Sequence, residues 1–156
     1  MLIRWLLAAI HLLGYGLALG AIVARTRGLR RCKSVQGLPG VFLADNLWGL
    51  SALVLIITGA LRAFGGFEKG AAFYLHEPFF HLKMTALVLI LVLEVAPMVA
   101  LIRWRIALKK GATPPLERAQ RFATIGAVQT ALLVVMVFAA AGMARGIGIG
   151  MASAAQ

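Results

Sequence analysis

Acidic residues and cysteine are scarce in this chain. Its 156 residues include only 5 Asp and Glu and a single cysteine, Cys32, and charged residues make up 13% of the sequence. Soluble domains carry about 25% charged residues. One cysteine allows no intramolecular disulfide and matches no metal-ligand spacing. These absences argue against a soluble globular enzyme and exclude a secreted domain held together by disulfides.

Familiar catalytic motifs are absent as well. The sequence contains no CxxC or CxxCH, no Walker-type phosphate loop, no GxGxxG, no HExxH and no Gly-x-Ser-x-Gly. Any chemistry must therefore reside in a set of buried His, Lys, Arg and Glu side chains or in a bound cofactor.

The chain is instead rich in long apolar segments. Hydrophobic residues make up 62% of the sequence and the mean hydropathy is +0.92, which is too much apolar surface for a short soluble protein to bury. A membrane-crossing helix needs roughly 20 mostly apolar residues. Four windows meet this requirement, at about 5–24, 41–61, 79–102 and 122–143. The sequence therefore predicts an all-α integral membrane four-helix bundle, formed by a single transmembrane domain over residues 1–156.

Basic residues concentrate in two of the three segments that connect these windows. The first segment holds Arg25, Arg27, Arg30, Arg31 and Lys33, and the third holds Arg103, Arg105, Lys109, Lys110, Arg118 and Arg121. Positive residues in short loops stay cytoplasmic, so both termini are predicted to lie outside, in the periplasm. The predicted location is the bacterial inner (cytoplasmic) membrane, and the formal charge of +11 mainly sets the orientation.

The same basic segments indicate which partners to expect. They favour anionic lipid headgroups at the surface of the bilayer. Nucleic-acid binding is not predicted, because the segments are short and lack interleaved aromatic residues for stacking. A homodimer or a partner in a membrane complex is compatible with the sequence.

Ionisable side chains inside the predicted spans are the candidate site residues, because each is costly in a bilayer unless it meets a partner or water. The predicted topology places one basic group from each span toward the periplasmic side: His11, Arg62, Lys83 and Arg145. For Lys83 the alternatives are snorkelling to the headgroups and a role in a site. Arg62 and Arg145 also fit simple anchoring at helix ends.

His11, Trp48 and Glu94 each have a structural and a functional interpretation. His11 is either satisfied by one interhelical hydrogen bond or is a metal ligand, since imidazole is a common axial ligand of haem iron. Trp48 either belongs to the interfacial aromatic belt or lines a pocket. Glu94 lies three turns from Lys83, about 16 Å along the same helix face, which indicates that this face points into the bundle. It is either protonated, hydrogen-bonded to a neighbour such as Gln129, or part of a proton relay.

Short segments near all four windows form a recognisable pattern. They are residues 5–11 (WLLAAIH), 47–49 (LWG), 58–62 (TGALR), 69–70 (KG), 73–74 (FY), 79–83 (FFHLK) and 143–146 (MARG). This pattern resembles the bacterial membrane family named domain of unknown function 2214, and the likeness covers almost the whole chain. The resemblance implies a membrane architecture without an assigned activity.

A second resemblance suggests a function. The histidine in the first window, the Thr-Gly pair in the second and the His/Lys opening of the third are similar to the HemJ-type protoporphyrinogen oxidases, small helical inner-membrane proteins that bind haem b. This resemblance implies that His11 matches the histidine of that family's first helix and that Lys83 matches the lysine of its third.

The first functional hypothesis is therefore a haem b- or porphyrin-binding redox protein. In it, His11 ligates the metal, Arg62 and Lys83 offset the carboxylates of the porphyrin, and Trp48 lines the pocket. One alternative is a non-enzymatic structural or assembly subunit of a membrane complex. Another is transport of a small anion, which would use the same cations.

Overall fold

The computed structural model describes residues 1–66 and 75–147. Regular structure in these ranges is entirely helical and comprises four long helices: α1 (Leu2–Arg31), α2 (Leu38–Phe64), α3 (Pro78–Lys109) and α4 (Ala119–Ala144). Short 3-10 turns at Val35–Gly37 and Leu116–Arg118 precede α2 and α4. All four helices are long and apolar enough to cross a membrane, which confirms the predicted helical chain with four candidate spans. Lys69, Gly70, Phe73 and Tyr74 of the sequence pattern lie outside the described residues.

The helices extend beyond the apolar windows at the ends that carry basic residues. α1 continues to Arg31 and α3 to Lys109, because Arg and Lys are good helix formers and cations are favourable near a helix C-terminus. The assignment of Arg25 to a connecting segment is therefore wrong. Arg25 lies inside α1, and its side chain is only 1% exposed.

The helices pack in a chain of neighbours, leaving the backbones of one pair apart. α1 packs along α2 and α4, and α4 packs along α3, whereas the backbones of α2 and α3 approach each other at few points within the described ranges, and these two helices meet through side chains. We call the end of the bundle that carries Arg31 and Lys109 the basic end. We call the opposite end, which carries Phe64 and Pro78, the cavity end, because Phe64 lines the main cavity of the bundle.

Buried apolar residues form two clusters along the bundle. The middle cluster contains Tyr15, Ala18, Ile22, Trp48, Ile90, Leu133 and Met136. The cluster at the basic end contains Leu29, Leu38, Leu101, Trp104 and Phe122. The basic end is therefore closed by large side chains from all four helices.

The outer surface of the bundle is apolar. Leu12, Leu13 and Phe138 are each 74% exposed, and a soluble monomer rarely presents such a continuous apolar surface. Contact with the acyl chains of a bilayer explains it. Which end faces the cytoplasm stays a prediction.

Candidate functional site

A cavity of about 340 Å³ lies between α2 and α3, with α1 and α4 behind it. This volume falls in the range of about 300–1,000 Å³ that is typical of small-molecule sites. The residues predicted to bind a cofactor all line it: His11, Trp48, Arg62 and Lys83. Arg145, the fourth member of the predicted basic set, is not among the described lining residues. The structure thus brings four candidates from three helices to one cavity, and their role in binding stays a prediction.

His11 is held in one orientation by a hydrogen bond between α1 and α2. Its ring is buried, and Nδ1 lies 2.7 Å from Thr58 Oγ1. The Thr58 hydroxyl has a single proton and donates it to the Val54 carbonyl at 2.6 Å. Nδ1–H of His11 must therefore donate to Thr58, so the neutral imidazole carries its lone pair on Nε2. The ring also contacts Tyr15 edge-on, with centroids 5.2 Å apart.

Lys83 points across the bundle toward α1. Its Nζ lies 5.7 Å from the centroid of the Tyr15 ring, within cation–π range. This direction places the ammonium group at the cavity wall, which Arg62 of α2 also lines. His11, Arg62 and Lys83 therefore give the cavity end a basic lining. Glu94 is the one carboxylate among the described lining residues.

At the other end of the cavity, one arginine from α1 binds side chains from the other three helices. Arg25 Nη1 donates to Asp45 Oδ1 at 2.9 Å and to Glu94 Oε1 at 2.5 Å. Its Nη2 donates to Glu94 Oε2 at 2.7 Å and to Gln129 Oε1 at 3.0 Å. The guanidinium also lies 5.7 Å from the Trp48 ring centroid. Arg25 is therefore the centre of the helix contacts at this level.

A second arginine completes this cluster. Arg105 Nη2 donates to Asp45 Oδ2 at 2.7 Å, and its Nη1 donates to Asn46 Oδ1 at 2.8 Å. The amide of Gln129 donates to Glu94 Oε2 at 2.8 Å, which is one of the three alternatives that the sequence left open for Glu94. We call Arg25, Asp45, Glu94, Arg105 and Gln129 the arginine network. Its two arginines and two carboxylates balance in charge, and all four carboxylate oxygens accept hydrogen bonds, as buried charges require.

The sequence contained a signal for Arg25 that the loop assignment overlooked. Ala18, Ile22, Arg25 and Leu29 recur at intervals of three and four residues and share one buried face of α1. This spacing is that of a helix face turned toward the core. Extending the first helix past residue 24 would have placed Arg25 on that face and made it a partner for Glu94.

The comparisons with known proteins identify a family and give no activity. No curated protein and no solved structure matches the chain, so the resemblance to HemJ-type oxidases gains no support. One family model matches residues 3–148, and its description is "Predicted membrane protein". The chain therefore belongs to the DUF2214 family of predicted membrane proteins.

Proposed function

We propose that the cavity binds an amphiphilic anion, a ligand with an apolar body and at least one carboxylate or similar acidic group. The supporting observation is the division of the cavity wall. Its cations, Arg62 and Lys83, come from the cavity-end turns of α2 and α3. Most of the remaining wall is apolar, with Leu55, Leu87, Ile90, Leu133 and Met136 among its residues.

Each part of the wall supplies a distinct share of the binding energy. Burial of an apolar body is worth about 25 cal/mol per Å² only for surface that is removed from water, so a ligand already dissolved in the bilayer gains mainly van der Waals contacts from the apolar wall. A carboxylate gains more from Arg and Lys inside an apolar bundle than in water, because the effective dielectric is lower. The cations therefore select the acidic ligand and fix which end of it lies toward Phe64 and Pro78.

Haem b or a related porphyrin is the specific ligand of this class that we propose first. The chemistry of His11 fits an iron ligand, because the hydrogen bond from Nδ1–H to Thr58 orients the ring and sets the tautomer in which Nε2 is the ligating nitrogen. Arg62 and Lys83 would pair with the propionates. In the described parts of the chain no group of three His, Cys, Asp or Glu residues could hold a bare metal ion, so a macrocycle would have to bring most of the ligands. Bound haem would supply electron transfer, which makes a redox role in the inner membrane the finer form of this proposal.

Binding to protein in phosphatidylcholine nanodiscs tests the proposal. The probes are haem b, followed by its Soret absorbance, and cis-parinaric acid, a fluorescent fatty acid. We expect saturable binding of at least one probe, weakened about tenfold or more by Lys83→Met or Arg62→Met, since a hydrogen bond to a charged group is worth about 1.5–3 kcal/mol. Arg27→Met, an exposed change at the basic end, is the matched control.

The outcomes separate the general proposal from its haem form. If neither probe saturates, or if Lys83→Met and Arg62→Met bind both probes as the wild type does, the cavity is not an anion site. A Soret band that His11→Ala abolishes supports haem. Binding of the fatty acid alone, without haem uptake, would remove the haem form and leave the general one.

A static structural or assembly subunit is the second candidate. The arginine network favours it, because a charge-balanced cluster joining four helices rigidifies a bundle without any ligand. If this candidate is correct, Lys83→Met and His11→Leu leave the phenotype of the cell unchanged, whereas disruption of the network reproduces a deletion of the gene.

A further inference from the structure

We infer that the ligand enters the cavity sideways from the bilayer, through the gap between α2 and α3, and is therefore a lipid-soluble anionic amphiphile. The inference rests on the proposed binding function and adds the phase from which the ligand comes. It follows from which walls of the cavity are closed and which are open.

The back of the cavity and its basic end are closed by packing. α1 packs along α2 and α4, and α4 packs along α3, so the wall behind the cavity is continuous. Toward the basic end, the cavity stops at Trp48 and Glu94, both of which contact Arg25. Beyond them lies the buried apolar cluster around Leu101 and Trp104. A ligand cannot pass this end without breaking the arginine network.

Between α2 and α3 the cavity opens on the outer surface of the bundle. Ile56 of α2 and Leu91 of α3 both line the cavity, yet their side chains are 40% and 44% exposed. A residue that lines a cavity and is also exposed outside marks the edge of an opening. These two edge residues lie on the two helices whose backbones approach each other at few points in the described ranges.

The opening faces hydrocarbon in a membrane. Ile56 and Leu91 lie well inside their helices, and both helices qualify as membrane spans. One turn from each edge residue, on the same helix face, the outward surface continues with exposed apolar residues, Leu53 at 55% and Val88 at 57%. An acyl chain or a flat apolar body can therefore slide between α2 and α3 without leaving an apolar medium, while its acidic group meets Lys83 and Arg62.

Widening the gap between α2 and α3 tests the inference, because it should raise the rate at which a probe associates with the protein. Protein in phosphatidylcholine nanodiscs is mixed with cis-parinaric acid, and the rise in fluorescence is followed by stopped flow. The test variant is Ile56→Ala/Leu91→Ala, which widens the opening. The control is Ile57→Ala/Leu89→Ala, which removes the same side-chain types from neighbouring exposed positions that do not line the cavity.

We expect association in the widened variant to be faster than in the control on the order of tenfold, because entry then requires less movement of the helices. Tryptophan at the same two edge positions should slow both association and dissociation. Equal association rates in the test and control variants would overturn lateral entry while leaving binding intact. Absence of saturable probe binding in the wild type would instead overturn the proposed function.

Discussion

The two halves of the bundle contain similar charged residues but use them differently. Toward the basic end, Arg25 and Arg105 pair with Asp45 and Glu94, and all four helices close around them. Toward the cavity end, Arg62 and Lys83 line an apolar cavity whose described wall includes one carboxylate, Glu94, at its far end. The same cationic chemistry thus joins the helices in one half and lines a cavity in the other.

The difference teaches how the bundle balances the cost of intramembrane charge. In the basic half, hydrogen bonds from two arginines occupy both oxygens of Asp45 and both of Glu94. Such a cluster is stable only while every member is present. In the cavity half, the Phe64 and Phe80 rings of α2 and α3 meet edge-on at the end of the bundle, and the cavity between the two helices holds the basic lining. The arginine network therefore holds the four helices together in one half of the bundle, and these helices form the cavity in the other half.

We expect the largest change in stability from the loss of Arg25, which tests the role of the arginine network. Arg25→Met leaves the largely buried Glu94 carboxylate with only the Gln129 amide and leaves Asp45 with Arg105 alone, so we expect the free energy of unfolding to fall by about 3 kcal/mol. Unfolding by SDS in mixed micelles, followed by circular dichroism, measures the change. Arg27→Met, two residues along α1 on an exposed position, should change stability by less than about 0.5 kcal/mol.

Two further variants show whether the loss comes from uncompensated charge. Glu94→Gln added to Arg25→Met removes the carboxylate that has lost its arginine, so the double variant should be less destabilised than the sum of the two single variants. Arg25→Lys should recover only part of the stability, because an ammonium group cannot make the two-pronged contact with Glu94. Strict additivity, or an Arg25→Met variant as stable as Arg27→Met, would show that the network does not hold the helices together.

Sequence patterns predicted the number of helices and the inward face of α3, and failed mainly where helices run past the apolar windows. Lys83 and Glu94 were placed on one inward face by spacing alone, and both line the cavity. Arg25 was misplaced because hydropathy marks where a span stops being apolar, whereas a helix ends where its backbone hydrogen bonds stop. The partner of Glu94 on α1 and the gap between α2 and α3 depend on tertiary packing, which no single-helix pattern encodes.

A moderate test concerns the hydrogen bond that orients His11 in the cavity half. Thr58→Val keeps the shape of the side chain and removes the acceptor of Nδ1–H, so we expect a loss of about 0.5–1.5 kcal/mol in stability. Thr130→Val is the control, because its hydroxyl also donates to a carbonyl one turn earlier, on Gly126, and bonds no histidine in the described structure. Nitrogen NMR of labelled imidazole should show protonated Nδ1 in the wild type and a shifted tautomer balance in Thr58→Val. An unchanged spectrum would contradict the orientation derived for His11.

The last prediction concerns which half of the bundle faces the cytoplasm. The rate at which a maleimide labels Cys32 measures it. Partial burial raises the pKa of the Cys32 thiol, so at neutral pH its thiolate fraction is low and reaction with a maleimide is slow, with a rate that rises as pH increases. Leu75→Cys in a Cys32→Ser background places an exposed thiol at the cavity end and should react faster at the same pH.

With a membrane-impermeant maleimide, intact cells should label Leu75→Cys, and inverted vesicles should label Cys32. The opposite pattern would reverse the topology predicted from the basic residues and would place the cavity half in the cytoplasmic leaflet, although lateral entry between α2 and α3 would still hold there.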